Sequence, residues 1–257
     1  MDLLSCGDSA VHRLDPRAKL VTTLVFIVAV MSMDRYAVSM LVPFASYPVY
    51  LAAAGGIPPR YLVKKIMYLA PFVLFVAAFN PVFDREAVMS IGPLAISGGW
   101  LSALSILIRF ALTLGSVITM IACTGFYNVC LALERLKVPR VLAVQLLFLY
   151  RYIFVLVEEA ARMLRARDLR SFGRRGRGIG VFGPMAGTLL LRSVDRGKRI
   201  YLAMTSRGFD GTFRRLTPLR FGVRDIAFMF AWCGLFVFLR LVNVSRWIGS
   251  MAEGLLS

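Results

Sequence analysis

Phe148-Leu149-Tyr150-Arg151-Tyr152-Ile153-Phe154-Val155-Leu156-Val157-Glu158-Glu159-Ala160-Ala161-Arg162-Met163-Leu164-Arg165-Ala166-Arg167-Asp168-Leu169-Arg170-Ser171-Phe172 begins apolar and ends basic. Val157, Ala160, Ala161 and Leu164 share one helix face, and Glu158 and Arg162 stand at i, i+4 in the stabilising order for a solvent-facing pair. A second segment repeats the design. Leu190, Val194, Gly197 and Tyr201 fall at i, i+4, i+7 and i+11, and the segment closes Met204-Thr205-Ser206-Arg207-Gly208-Phe209. Both finish on Arg, a small residue, then Phe. The sequence therefore predicts two long amphipathic helices with matching basic tips, one from Pro139 to Phe172 and one from Pro184 to Phe209.

These helices lie in the most basic part of the chain. From Glu134 to Arg224 there are 20 of the 31 Lys and Arg residues against six acids, which places about +14 of the formal +17 here. The surroundings are different. The chain is 58% hydrophobic with a mean hydropathy of +0.71, against about 45–50% apolar residues in a soluble domain. An integral membrane protein with a basic cytoplasmic region is expected, because the cytoplasmic loops of such proteins carry the Lys and Arg excess. A basic patch alone is weak grounds for nucleic-acid binding, and none is expected.

The four Cys (Cys6, Cys123, Cys130, Cys233) show no CxxC spacing and read as packing residues, and His12 is the one histidine. No metal site and no cofactor is expected within this chain, since His and Cys are the usual transition-metal ligands. Met1 to Leu14 is mixed polar with no continuous apolar run, so no cleavable signal is expected there.

Apolar runs predict about five membrane spans. Asp15 is placed to cap a first helix opening at Pro16, with Arg17 and Lys19 as anchoring cations, and Lys19 to Met33 forms the first span. Asp34-Arg35 breaks the run before Tyr36 to Ala54. Met67 to Phe79 is short of the roughly 20 residues a bilayer needs unless Tyr61 to Ile66 adds a first turn, and Asn80-Pro81 is expected to end it. After a Gly-rich turn, Gly92 to Gly99, come Trp100 to Cys123 and finally Ile226 to Val242. The inner loops then hold Arg13, Arg17 and Lys19, Arg60, Lys64 and Lys65, and the basic region, which places the N-terminus in the cytoplasm.

Arg109 lies inside the fourth span, where a charge is costly and marks either a site or a structural pairing. Thr124 to Lys137 reads as a short amphipathic helix along the membrane face. Gly173 to Gly183 reads as a flexible linker; its Gly178, Gly180 and Gly183 form a G-x-G-x-x-G pattern with no strand before it, so no dinucleotide fold follows. The expected organisation is an all-α chain with a membrane domain over 1–124, a cytoplasmic region over 125–224, and a last span with its tail over 225–257.

With these residues in view, the chain resembles the transmembrane T component of energy-coupling-factor (ECF) transporters, in particular the cobalt/nickel-type Q subunit. The matching pieces are His12 to Lys19, Leu133 to Arg140, Phe148 to Ala160, and Ala203 to Phe209. The resemblance implies a non-catalytic subunit of the bacterial inner membrane, joining two cytoplasmic ATPase subunits to a separate substrate-capture membrane subunit. It also implies that Ala-Arg-Gly or Ala-Arg-Ser motifs at the two helix tips dock in ATPase grooves. The corresponding positions are Leu169-Arg170-Ser171 and Ser206-Arg207-Gly208, with Leu169 and Ser206 standing where the family has Ala. Ala166-Arg167-Asp168 is a competing register for the first.

A rival reading is a membrane-bound enzyme acting on lipid phosphate or nucleotide through the Arg-rich region. It would want clustered carboxylates for Mg²⁺. Glu158-Glu159 is the one adjacent pair in that region, and adjacent helical residues diverge by about 100°.

Overall fold

The Asp15 side chain accepts the Arg17 N–H at 2.8 Å, and Pro16 occupies the first helical position of α1 (Pro16–Met31). The computed structural model describes residues 7, 9, 11–34, 38–83, 87–91, 94–170, 179–211 and 221–241. After α1 come α2 (Val38–Leu41), a 3₁₀ turn (Pro43–Ala45), α3 (Ser46–Ala54), α4 (Pro59–Phe83), β1 (Ala87–Ile91), β2 (Leu94–Ser97), α5 (Gly98–Thr124), α6 (Phe126–Arg135), α7 (Arg140–Arg170), α8 (Ile179–Thr205) and α9 (Val223–Leu241). Among the described residues the regular structure is helical apart from the β1–β2 hairpin, which is antiparallel with Ile91 opposite Leu94.

Packing divides the chain into two units. One comprises Met1–Ala132 with Leu219–Ser257, and the other Leu133–Pro218.

In the first unit, one face of α1 carries Lys19, Thr22, Thr23, Phe26 and Val30 inward. Phe26 meets Tyr47 of α3 at 4.9 Å between ring centroids and Phe236 of α9 at 5.3 Å, while Tyr47 meets Trp232 edge-on at 5.0 Å. Such tilted and edge-on rings are the favoured aromatic geometries. The Tyr47 hydroxyl reaches the Thr23 hydroxyl at 2.9 Å, so the aromatic core leaves that polar tip partnered.

Lys19 is not an interface anchor as its position suggested: it is 1% exposed. It stands one turn beyond Asp15, on the side of α1 that packs against α9. There Asp225, also buried, accepts the Asp15 N–H at 2.7 Å and the Gly222 N–H at 2.8 Å. One carboxylate thus ties the starts of the first and last described helices. No local periodicity forecasts a bond between residues 210 apart.

Three further expectations are corrected. The run Tyr36 to Ala54 is not one continuous helix, because Pro43, which has no N–H, opens a 3₁₀ turn between α2 and α3. Asn80-Pro81 does not end α4, which continues to Phe83. Instead, the Asn80 amide donates to the Ser102 hydroxyl of α5 at 3.0 Å, within the closely packed α4–α5 pair. The stretch read as a Gly-rich turn holds β2 and the start of α5.

Among the described residues, three segments are long and apolar enough to cross a membrane: Pro59–Asn80, Gly99–Thr124 and Arg140–Arg170. Phe72, Phe75, Met67 and Tyr68 leave α4 exposed, as a lipid-facing helix would be, whereas Ser102, Ser105, Ser116 and Thr119 are buried along α5. Small hydroxyl residues allow membrane helices to approach closely. Gly55 marks another such approach, since an added Cβ would meet the Cys123 Sγ of α5 and the Leu51 carbonyl oxygen.

Candidate functional site

The second unit is built on α7 and α8. Each is a single long helix, as the sequence pattern suggested, at 31 and 27 residues, or about 46 and 40 Å at 1.5 Å per residue. α8 starts at Ile179, so the linker is shorter than Gly173 to Gly183 and Pro184 lies inside a helix rather than at its start. A proline this near the beginning removes one bond, to the carbonyl four residues back. Gly180 and Gly183 are helical as well, which removes the loop a phosphate-cradling glycine motif needs; Gly173 to Gly178 lie outside the described residues.

Glu159 joins the two helices. Its carboxylate takes Arg162 of its own helix at 2.8 Å and Arg192 of α8 at 2.8 Å, with Arg196 of α8 at 3.8 Å. Glu158 is paired with Arg162 at 3.6 Å, the i, i+4 pair read in the sequence. The cross-helix partners were not legible, because 33 residues separate Glu159 from Arg192 and any of the basic residues of α8 fits the charge.

The tip of α8 explains the Arg-small-Phe ending physically. Gly208 has φ +74°, its N–H bonds to the Thr205 carbonyl at 3.0 Å, and the Phe209 N–H bonds to the Met204 carbonyl at 3.0 Å. This pair of bonds is the Schellman closure, in which glycine supplies the left-handed turn and an apolar contact follows. Phe209 folds back beside Met204 and, with Phe148 and Tyr152 of α7, lines an apolar cavity of about 340 Å³ between the helices. Arg207 is left exposed, and Ser206 is also exposed. Glycine makes the turn, phenylalanine anchors it, and arginine is presented.

At the other tip, Arg170 is the last residue of α7 and is exposed, and Leu169 is 84% exposed. Ser171 and Phe172 lie outside the described residues. The competing register differs in its surroundings. Ala166 is exposed, but the Arg167 side chain is 17% exposed, lies over the Phe182 ring of α8 at 5.2 Å, and bonds to Asp168 at 3.1 Å. Among the described residues, neither Arg170 nor Arg207 has a side-chain partner, whereas Arg167 is packed between the helices.

Arg109 belongs to the first unit and serves structure. Its Nη2 donates to the carbonyls of Met33 at 2.9 Å and Asp34 at 2.6 Å, its Nη1 to Met31 at 3.5 Å, and its Nε to Ser105 at 3.1 Å. The cation thus sits at the C-terminal end of α1, where the helix dipole favours it, with its shorter bonds to the loop carbonyls that follow the helix. No group of three or more His, Cys, Asp or Glu able to hold a metal ion occurs among the described residues. His12 Nδ1 lies 2.7 Å from the Ser9 hydroxyl.

Residues 7–219, which include both helix tips, match the CbiQ cobalt transport protein family. The chain belongs to this family. Among its relatives, the energy-coupling factor transporter transmembrane protein EcfT of Thermanaerovibrio acidaminovorans is 30% identical over 85% of this chain and 87% of its own length. The EcfT of Heliobacterium modesticaldum is 28% identical over 91% of this chain and 93% of its own. An uncharacterised protein of Methanocaldococcus jannaschii is 23% identical over 85% and 77%. With apolar helices of spanning length, this CbiQ-family chain is a membrane protein.

Proposed function

We propose that this chain is the transmembrane coupling subunit of an ATP-driven ECF-type importer, whose cargo is a transition-metal ion, cobalt or nickel. The observation that carries the proposal is the Arg207 tip: a helix closed by Gly208 and anchored by Phe209 so that a guanidinium with no side-chain partner among the described residues is presented outward. Arg170, followed by Ser171 and Phe172, repeats the pattern in sequence. A guanidinium offers a planar, always-charged fork that a lysine cannot duplicate. Leu169-Arg170-Ser171 and Ser206-Arg207-Gly208 would each enter a groove on one of two cytoplasmic ATPase subunits.

The apolar surface of the same unit fits a second partner. Leu149, Ile153, Phe154 and Val157 of α7, and Leu190, Leu191 and Val194 of α8, are exposed. Exposed apolar patches of this extent mark interaction or lipid surfaces. We assign them to a separate substrate-capture membrane subunit, which would hold the ion. ATP hydrolysis would occur in the ATPases, and this chain would transmit their motion along α7 and α8, with no catalytic step and no cofactor of its own. The loop charges place the N-terminus and both tips in the cytoplasm of a multi-pass inner-membrane protein.

The enzyme reading finds no support at Glu158-Glu159, since both carboxylates are engaged by arginine. The test is purification of the tagged chain with its natural partners, followed by uptake of cobalt and nickel by the reconstituted complex. Recovery of two ATPase copies and a second membrane protein, with ATP-dependent uptake, is expected. A chain that purifies without ATPase and turns over a phosphate ester would overturn the proposal.

A further inference from the structure

Outside the coupling unit, α9 carries a graded stripe. Arg224, Phe228, Trp232 and Leu235 fall at i, i+4, i+8 and i+11, so one helix face passes from cationic to aromatic to aliphatic. At 1.5 Å per residue the stripe is about 16 Å long. That is close to half of the roughly 30 Å hydrocarbon thickness of a bilayer, the depth of one leaflet. Arg13 and Leu14, just before α1, and Tyr50 of α3 complete the walls of a groove of about 780 Å³. Tyr50 faces Trp232 at 5.1 Å between ring centroids.

The charge of this groove is uneven. Arg13 and Arg224 are exposed, while two acids at the same end, Asp15 and Asp225, are buried, the latter with both oxygens bonded to the N–H groups of Asp15 and Gly222. Two guanidiniums therefore stand at the mouth above an apolar wall, and the nearby carboxylates are buried. An inorganic anion would use the mouth and gain nothing from Phe228, Trp232 and Leu235. A neutral acyl chain would use the wall and gain nothing from the arginines. One molecule matches both ends.

We propose that this groove binds an anionic phospholipid, with its phosphate between Arg13 and Arg224 and an acyl chain along Tyr50, Phe228, Trp232 and Leu235. Basic pockets between membrane helices hold anionic headgroups in this way, and each surface arginine contributes on the scale of 1 kcal/mol. The proposal needs the first unit to be embedded in the bilayer. It does not need the coupling role, and either can fail without the other.

The experiment is lipid analysis by native mass spectrometry of the full chain from nanodiscs of phosphatidylglycerol and phosphatidylcholine in equal amounts. The wild-type chain is expected to retain phosphatidylglycerol selectively. Arg13→Gln with Arg224→Gln, both at exposed positions that leave the core intact, should lower its relative retention roughly thirtyfold, the effect of two such cations. Arg60→Gln, an exposed cation outside the groove, should change nothing. Equal retention of the two lipids, an unaltered double variant, or an equal loss in Arg60→Gln would each overturn the site. Displacement of the lipid by millimolar inorganic phosphate would also overturn it, since the mouth alone would then account for binding.

Discussion

Arg109 and Arg207 are the same residue in opposite circumstances. Arg109 spends its donors inside the chain, on the carbonyls of Met31, Met33 and Asp34 and on Ser105, and so fastens α5 to the end of α1. Arg207 has no side-chain partner among the described residues: its helix is closed by the Gly208 and Phe209 N–H groups and by the Thr205 and Ser206 hydroxyls, and its guanidinium is exposed beyond them. A charge inside an apolar unit survives by being fully paired, because an unpaired polar group there costs several kcal/mol. A charge at an exposed tip costs little to leave open. What is left open is available to another molecule.

The contrast makes ordered predictions about the chain's own stability. The largest effect belongs to Arg109→Met, which keeps the apolar stem but removes the bonds to Ser105 and to the carbonyls of Met31, Met33 and Asp34. Loss of charge-assisted bonds predicts a destabilisation of about 3 kcal/mol, seen as a lower unfolding midpoint of the purified chain in detergent. Next is Gly55→Ala, whose methyl would meet Cys123 Sγ and the Leu51 carbonyl. Overpacking of this kind costs about 1–3 kcal/mol in the same measurement. An unchanged midpoint in either variant would mean that the first unit is not packed as described.

Glu159→Gln is smaller, because the clasp between α7 and α8 is at the surface and is screened by salt. Hydrogen exchange at α8 should quicken modestly, and more at low salt than at high.

Much of this was legible beforehand, and the failures have a common cause. The Asp15-Pro16 start and the bulk of α5 follow from local chemistry, a cap and an apolar run, and the Arg-Gly-Phe tip was visible as a repeated ending whose glycine has the positive φ that closes the helix. The stop assigned to Asn80-Pro81 and the start assigned to Pro184 went wrong because a proline was weighed as a helix boundary, whereas α4 runs past Pro81 and α8 begins ahead of Pro184. Asn80 is held by Ser102 of the next helix, a bond that no local rule contains. Lys19 and Asp225 were missed likewise, their burial being set by the approach of α9 to α1. At the first tip, spacing allowed Arg167 or Arg170, and the difference lies in Phe182, which covers Arg167 from a helix beyond the linker.

The smallest effect on the fold, and the most direct test of the coupling role, belongs to the tips. Arg170→Ala and Arg207→Ala should leave insertion and the unfolding midpoint unchanged, because neither side chain has a partner within the described chain. Each removes a charge-assisted contact from the assembled transporter, and if the groove's own group is left buried and unpaired the loss is about 2–5 kcal/mol. Arg207→Lys should restore binding partly, as a point charge lacks the fork. The measurement is ATPase retention and ion uptake in purified complexes carrying Arg170→Ala, Arg207→Ala or Arg167→Ala. The account predicts loss of ATPase and of most uptake in the first two at full chain stability, and in Arg167→Ala a weakened α7–α8 contact with ATPase retained. Full ATPase retention and uptake in both tip variants would contradict it.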